Sequence, residues 1–265
     1  MVKREPSCEL EKELTLIANN GYKEIVLVGI NLACYGQDLG IRLIDAIKLA
    51  DKIEGIERIR LGSFEPEMLL EEDIKELALI EKFCPHFHIS LQSGCDETLK
   101  RMNRHYNSQE YYDIVRLIRK YFDSSAITTD VITGFPGETQ QEFEKSIDFV
   151  KKVGFAKVHV FPYSRRKGTV ADKMPMQIDN ATKSQRAKIM QTAANLSEKA
   201  FLESFIGKTV KVLCETYADG YLTGFTANYT PVKIKTENSD SSLQNTFIYA
   251  KIKRIDKDCC IGELI

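Results

Sequence analysis

Thiols, imidazoles and carboxylates are the side chains of this 265-residue chain that could do chemistry, and their spacing constrains what chemistry that is. The seven cysteines, Cys8, Cys34, Cys84, Cys95, Cys214, Cys259 and Cys260, are scattered and nowhere spaced as CxxC or CxxxCxxC. Metal and cluster ligands come in groups, so the expectation is free thiols in a reducing compartment, packed as small hydrophobes. Cys259 and Cys260 are neighbours on an expected strand and should point to opposite faces. The four histidines, His86, His88, His105 and His159, show no HExxH or related ligand spacing, and His86 and His88 alternate onto one strand face, where packing roles are expected. Glu65, Asp130 and Glu138 could serve as acid or base, but no two of them have a reason to differ in pKa. Each also has a plain reading: Glu138 as a favourable charge at a helix start, Asp130 as a strand brace, and Gly134-Phe-Pro-Gly as a tight turn.

These side chains sit in loops that a regular alternation of elements must position. Helical spacing of Leu10, Leu14, Ile17 and Ala18 predicts a helix over 9–20 that stops at Asn20-Gly21. The branched run at 24–30 reads as a buried strand. The pattern repeats as helix 42–54, strand 57–62, helix 67–82, strand 86–91, helix 108–121, strand 126–133, helix 139–153 and strand 157–162. Five strands alternating with helices imply right-handed crossovers and a parallel sheet or partial (β/α) barrel over residues 1–170. In such folds the C-terminal strand ends share one rim where ligands bind. The loops Gly29-Ile30-Asn31, Ser63-Phe-Glu65-Pro66, Gln92-Ser93-Gly94, 134–138 and 163–166 are therefore expected to converge on one mouth.

Residues 171–206 read as a linker and a connecting helix from Asn180 to Phe205. Beyond Gly207 the texture changes. Short strands at 209–214, 221–226, 230–235, 247–255 and 260–265 predict a small all-β barrel of the OB type over 207–265. Its surface carries Lys208, Lys211, Lys233, Lys235, Lys251, Lys253 and Arg254 among Tyr217, Tyr221, Phe225 and Tyr229. Such a mixture can contact phosphates and stack on bases, or it can be a solvated lysine face over an aromatic core.

Bulk properties leave the partner open. With 37 basic and 38 acidic residues the formal net charge is -1, so any nucleic-acid contact must come from local clusters. Apolar residues at 43% and charged residues at 28% exclude a disordered chain, a collagen-like repeat and a disulfide scaffold. No apolar run approaches the roughly 18 residues of a membrane span and Met-Val-Lys-Arg-Glu-Pro leads into no signal-peptide core, so no membrane partner and a cytoplasmic location are expected.

Several long segments in order resemble the methylthiotransferases of the radical-SAM superfamily, nearest the branch acting on N6-threonylcarbamoyladenosine next to the tRNA anticodon. They are residues 21–30 (GYKEIVLVGI), 58–66 (RIRLGSFEP), 84–94 (CPHFHISLQSG), 99–104 (LKRMNR), 129–139 (TDVITGFPGET) and 159–166 (HVFPYSRR). The resemblance implies S-adenosyl-L-methionine as cofactor and tRNA as partner. It places Gly29, Ile30 and Asn31 at the methionine amino group, Arg104 at its carboxylate, Glu65 and Gln92 at the ribose, and Val160, Phe161 and Pro162 at the adenine edge. Ser63, Asp130 and Gly134 complete the cofactor site, with Gly134 giving the backbone close approach. The C-terminal barrel resembles the TRAM domain, which implies RNA contacts at Lys233, Lys235 and Lys253 and, on the rim, at Arg165 and Arg166.

One feature of the family is not in this sequence. The CxxxCxxC loop that holds the radical-generating 4Fe-4S cluster would precede helix 9–20, and a further N-terminal domain would carry a second cluster. Three thiolates are needed to leave one iron open, and Cys8 has no companions. No metal ligands are assigned to this chain, no catalytic residue is named, and the chain alone is expected to be inactive. A fragment lacking the first barrel strand is the favoured explanation. A split subunit completed by an N-terminal polypeptide and a non-catalytic SAM- or RNA-binding relative are the alternatives, and without its neighbour the strand at 24–30 would be an exposed edge.

Overall fold

The computed structural model describes residues 7–29, 32, 35–36, 40–66, 69–236 and 243–265. Helix and strand alternate through the first two thirds: α1 (Ser7–Asn19), β1 (Glu24–Leu27), α2 (Leu43–Asp51), β2 (Arg58–Leu61), α3 (Glu71–Ala78) and β3 (His86–His88). They continue as α4 (Asp96–Arg101), α5 (Ser108–Tyr121), β4 (Ala126–Thr133), α6 (Gln140–Val153) and β5 (Lys157–Pro162). Local sequence sets the helix ends. The Asn107 side chain accepts from the Glu110 N–H while Glu110 accepts from the Asn107 N–H, and Thr139 and Glu142 repeat the arrangement on α6. Gly154 closes α6 in a left-handed conformation.

These five strands pair in parallel, β1 with β2, and β4 with β3 on one side and β5 on the other. Isolated bridges from Ile59 to Phe83 and from Phe64 to Ile89 carry the pairing from β2 across to the β3 segment, with β1 as the outer strand at one side and β5 at the other. One face contributes Ile25, Ile59, Phe87, Ile127, Val131 and Val158 to the core shared with α1–α6. Strand alternation sends Glu24, Arg58, Arg60, His86, His88, Thr128, Asp130 and His159 to the other face. Two short helices escape the periodicity reading, α4 and α7 (Val170–Lys173), because six and four residues are too few to show an apolar repeat. Of the predicted helix at 67–82, residues 67 and 68 lie outside the described residues and the rest is helical over α3, and the predicted strand at 86–91 is regular over β3 before it continues as single bridges.

The long helix α8 (Asn180–Glu203) connects the two parts and packs into both. Met190 and Ala194 join the sheet core, while Leu202 and, just beyond the helix, Phe205 enter the core of the second unit. That unit contains β6 (Thr209–Ala218), β7 (Tyr221–Thr226), β8 (Pro231–Lys235), β9 (Phe247–Asp256) and β10 (Cys259–Leu264). They close into a five-stranded barrel in the order β10-β8-β7-β6-β9, antiparallel except for β8 with β10. Closure removes the exposed edges of so short a sheet. It requires Gly224, since a Cβ there would lie 2.0 Å from the Leu213 carbonyl oxygen on β6. Because that neighbour is backbone and cannot swing aside, Gly224→Ala is expected to destabilise the barrel by about 3 kcal/mol. Denaturant unfolding followed by the barrel tyrosines measures it, and a loss below about 1 kcal/mol would mean that the strands part easily.

Cys84, Cys95, Cys214, Cys259 and Cys260 are buried free thiols. Burial pushes Cys84, Cys214 and Cys259 up to about 11 and Cys260 to about 12, which leaves them protonated and unreactive near neutral pH. Among the described residues no helix is long and apolar enough to cross a membrane.

Candidate functional site

Register brings several of the expected rim residues into one row. Val131 on β4 pairs with Val160 on β5, Ile132 with Phe161 and Thr133 with Pro162. On the other side of β4 the Gln92 N–H donates to the Asp130 carbonyl and the Gln92 carbonyl accepts from the Ile132 N–H. Gln92 holds φ at +63°, a left-handed conformation that turns the chain at the strand end. Among the described residues β5 is an outer strand, so one row of its N–H and C=O groups has no strand partner there, and Phe161 beside it is half exposed.

Two residues placed at different parts of the cofactor are joined to each other. Arg104 Nη1 donates to both carboxylate oxygens of Glu65 at 2.8 Å. Glu65 engages Nη1 alone, so the rest of the guanidinium fork is open to a ligand carboxylate. Both side chains are about a third exposed, so the pair can be opened by a competing ligand. Ser63 is exposed next to it. Gly29 is described, with Leu32 3.2 Å from where its Cβ would be; Ile30 and Asn31 lie outside the described residues.

Gly134 serves a different partner from the one anticipated. It holds φ at +71°, and a Cβ there would meet Lys183 Cγ of α8 at 2.5 Å, so the close approach it permits is to protein. The turn it opens is locked from within. Glu138 accepts from the Gly134 N–H at 2.7 Å and from Arg186 Nη1 of α8 at 2.8 Å, with both side chains buried. Burial raises the Glu138 carboxyl above its usual range, outweighing the Gly134 N–H and Arg186, which lower it. Arg165 is also spoken for, since its guanidinium donates to the Asp172 carboxylate at 2.9 Å and to the Asp172 carbonyl at 2.8 Å. Arg166 is exposed.

On the barrel, Lys233, Lys235 and Lys253 all point outward. Glu263 on β10 sits between Lys235 and Lys251, and its carboxylate is 2.8 Å from Lys253 Nζ. Lys233 and Arg254 flank Ile261 in the next row, with Arg254 3.9 Å from Asp256, so basic residues outnumber carboxylates on the outer face of β9, β10 and β8. Half-exposed Tyr249 lies at the end of the same face.

Sequence spacing did not bring out a group on the sheet face opposite the core. His88, Asp130 and His159, on β3, β4 and β5, each present a ligand-type atom within 4.8 Å of the others. His88 Nδ1 is 3.0 Å from Thr128 Oγ1 and Nε2 is 3.6 Å from Asp130 Oδ2, while Asp130 lies directly across from His159. The nearby imidazoles, His88 first, hold the Asp130 carboxyl below its ordinary value. His86 is the packed histidine of the set, pushed down to about 3 by burial and set against Tyr229 of the barrel. Two-residue alternation was the available signal, but it becomes a cluster only once the register of three strands is known.

Comparison with known proteins agrees with this architecture. Residues 5–150 match the family model described as the Radical SAM superfamily. The chain belongs to that superfamily. It is 37% identical over 229 residues to the threonylcarbamoyladenosine tRNA methylthiotransferase MtaB of Thermotoga maritima, covering 86% of this chain and 53% of that protein. It is also 37% identical over 264 residues to the tRNA-2-methylthio-N(6)-dimethylallyladenosine synthase of Caldicellulosiruptor saccharolyticus, covering 97% and 55%. The chain thus spans about half the length of the relatives it matches. Among solved structures, coproporphyrinogen III oxidase from Escherichia coli, a radical SAM enzyme, superposes with a TM-score of 0.53 at 13% identity over 93% of this chain and 58% of that one, a likeness of fold.

Members of this superfamily use S-adenosylmethionine and a 4Fe-4S cluster. The Glu65–Arg104 pair, the outer edge of β5 and half-exposed Phe161 are groups that could hold a zwitterionic, adenine-bearing cofactor. The described cysteines do not fit a cluster, being buried, protonated and without a triad.

Proposed function

We propose that this radical SAM chain is the barrel and RNA-binding portion of a tRNA methylthiotransferase that acts on N6-threonylcarbamoyladenosine next to the anticodon. The observation that carries this reading is the 37% identity to MtaB across 86% of the chain. S-adenosylmethionine, when bound, supplies the methyl group and the radical precursor. Arg104 would hold its carboxylate, Glu65 and Gln92 its ribose hydroxyls, and the free edge at Val160, Phe161 and Pro162 its adenine, with Gly29, Ser63 and Asp130 shaping the site. Glu65 would exchange Arg104 for the ligand, since an ion pair about a third exposed is held by only about 0–1 kcal/mol. No step through the cluster is derived from this chain's cysteines.

The C-terminal barrel is read as an OB-like module of the TRAM type that holds tRNA, a reading supported by five closed strands, the parallel β8/β10 pair and the basic outer face. Replacing Lys233, Lys235 and Lys253 by glutamine is expected to weaken binding of an anticodon stem-loop and to flatten its salt dependence, because each lost phosphate contact removes about 0.7–0.9 of a counterion from the slope. Folding should change by less than about 0.5 kcal/mol per exposed site. The control changes Lys48, Lys52 and Lys75, helix positions away from the barrel, of which Lys48 and Lys75 pair with Glu76 and Glu71. Equal binding by both triple variants and the parent, or equal weakening, would remove the barrel as the RNA site.

A further inference from the structure

We infer that His88, Asp130 and His159 form a binding site for a single late first-row divalent cation of the zinc, cobalt and iron(II) class. Two imidazoles and one carboxylate from three adjacent parallel strands make a facial ligand set, the donor combination that such ions prefer. The inference rests on different observations from the methylthiotransferase reading, with which it shares only Asp130, and metal binding tests it whether or not that reading holds.

The distances suit a shared cation better than a hydrogen bond. His88 Nε2 and Asp130 Oδ2 are 3.6 Å apart, outside the range of an N–H···O bond. Two ligand atoms each about 2.1 Å from a tetrahedral metal stand about 3.4 Å apart. The third donor, on His159, belongs to an exposed side chain that can turn to close the remaining gap within the 4.8 Å span.

The surroundings supply the outer contact that a ligating imidazole needs. Thr128 Oγ1 lies 3.0 Å from His88 Nδ1 and can accept its N–H, which fixes the ring and leaves the Nε2 lone pair facing Asp130. The hydroxyl hydrogen of Thr128 then points to His86 Nε2 at 3.3 Å. Coordination positions not filled by the protein would face a cavity of about 260 Å³ between sheet and barrel. His88 and His159 line it on one side, and the stacked rings of Phe225 and Tyr229 on the other. An oxygen or nitrogen donor of a bound molecule could enter there.

The test is a titration of the chelator-treated full chain with Co²⁺ near neutral pH. One equivalent should bind, with visible ligand-field absorption and no thiolate-to-metal charge-transfer band. His159→Ala, at an exposed position, should lower the affinity at least tenfold with an unchanged circular dichroism spectrum, and Thr128→Val should lower it by about 10–100-fold through the lost outer contact. His105→Ala, an exposed histidine outside the cluster, should bind as the parent does. Failure of the parent to bind Co²⁺, equal binding by His159→Ala, or a thiolate band would overturn the assignment.

Discussion

Replacing Arg186 by methionine is expected to destabilise the protein by about 3–5 kcal/mol near neutral pH, the typical penalty for leaving one member of a buried ion pair alone. Glu138 is the member left. Its carboxylate would retain the Gly134 N–H but lose the guanidinium that reaches both its carbonyl and its Oε2. The pH dependence follows from the direction of its shift. Glu138 already titrates above the ordinary carboxyl range because burial dominates, and the variant raises it further. A carboxyl raised in the folded state contributes stability below its unfolded value and loses it as pH rises through the folded value. The deficit of Arg186→Met should therefore shrink as pH falls toward about 4, near the unfolded carboxyl value. Thermal unfolding of parent and variant across that range measures it. Adding Glu138→Gln should restore most of the lost stability, since the unpaired charge is then gone. A deficit independent of pH and not relieved by the second change would show that Arg186 matters by packing on Phe143 alone, over whose ring its guanidinium lies.

The second large effect concerns how the barrel is fixed to the sheet. Arg58 donates to the carbonyls of Phe225 and Lys211, and Arg60 to that of Ala227, while both pair with Glu24. Their guanidinium groups also lie over the rings of Phe247 and Tyr229. Burial lowers the pKa of Arg58, yet an arginine so far above neutrality keeps its charge. Changing both to methionine leaves Glu24 largely buried without a cation and three barrel carbonyls without donors. A loss of about 3–5 kcal/mol is expected, together with release of the barrel from the sheet. Hydrogen exchange should then speed up around 211–213 and 225–229 more than in α5 or β4. Unchanged exchange in those barrel segments would mean that α8 alone holds the two units together.

Much of this protein is written in local sequence. The α/β alternation, the closed set of five C-terminal strands and the capping pairs Asn107–Glu110 and Thr139–Glu142 follow from periodicity and from residues within one helical turn of each other. β4 and β5 form over the residues that their branched, alternating runs predict. The family could be read as well, because the rim loops are contiguous motifs.

Tertiary structure decided what those motifs do. Arg58 and Arg60 are charged residues of the strand expected at 57–62, yet they are 5% and 3% exposed because the barrel closes over them. Arg186 meets Glu138 across 48 residues, and the glycine at 134 is required by a helix that no local pattern places there. The grouping of His88, Asp130 and His159 depends on the register of three strands drawn from distant parts of the chain, and a shift of one residue would send their side chains into the core. Sequence alone sets which face of each strand is polar; which polar groups meet is set by the packing of the core behind them.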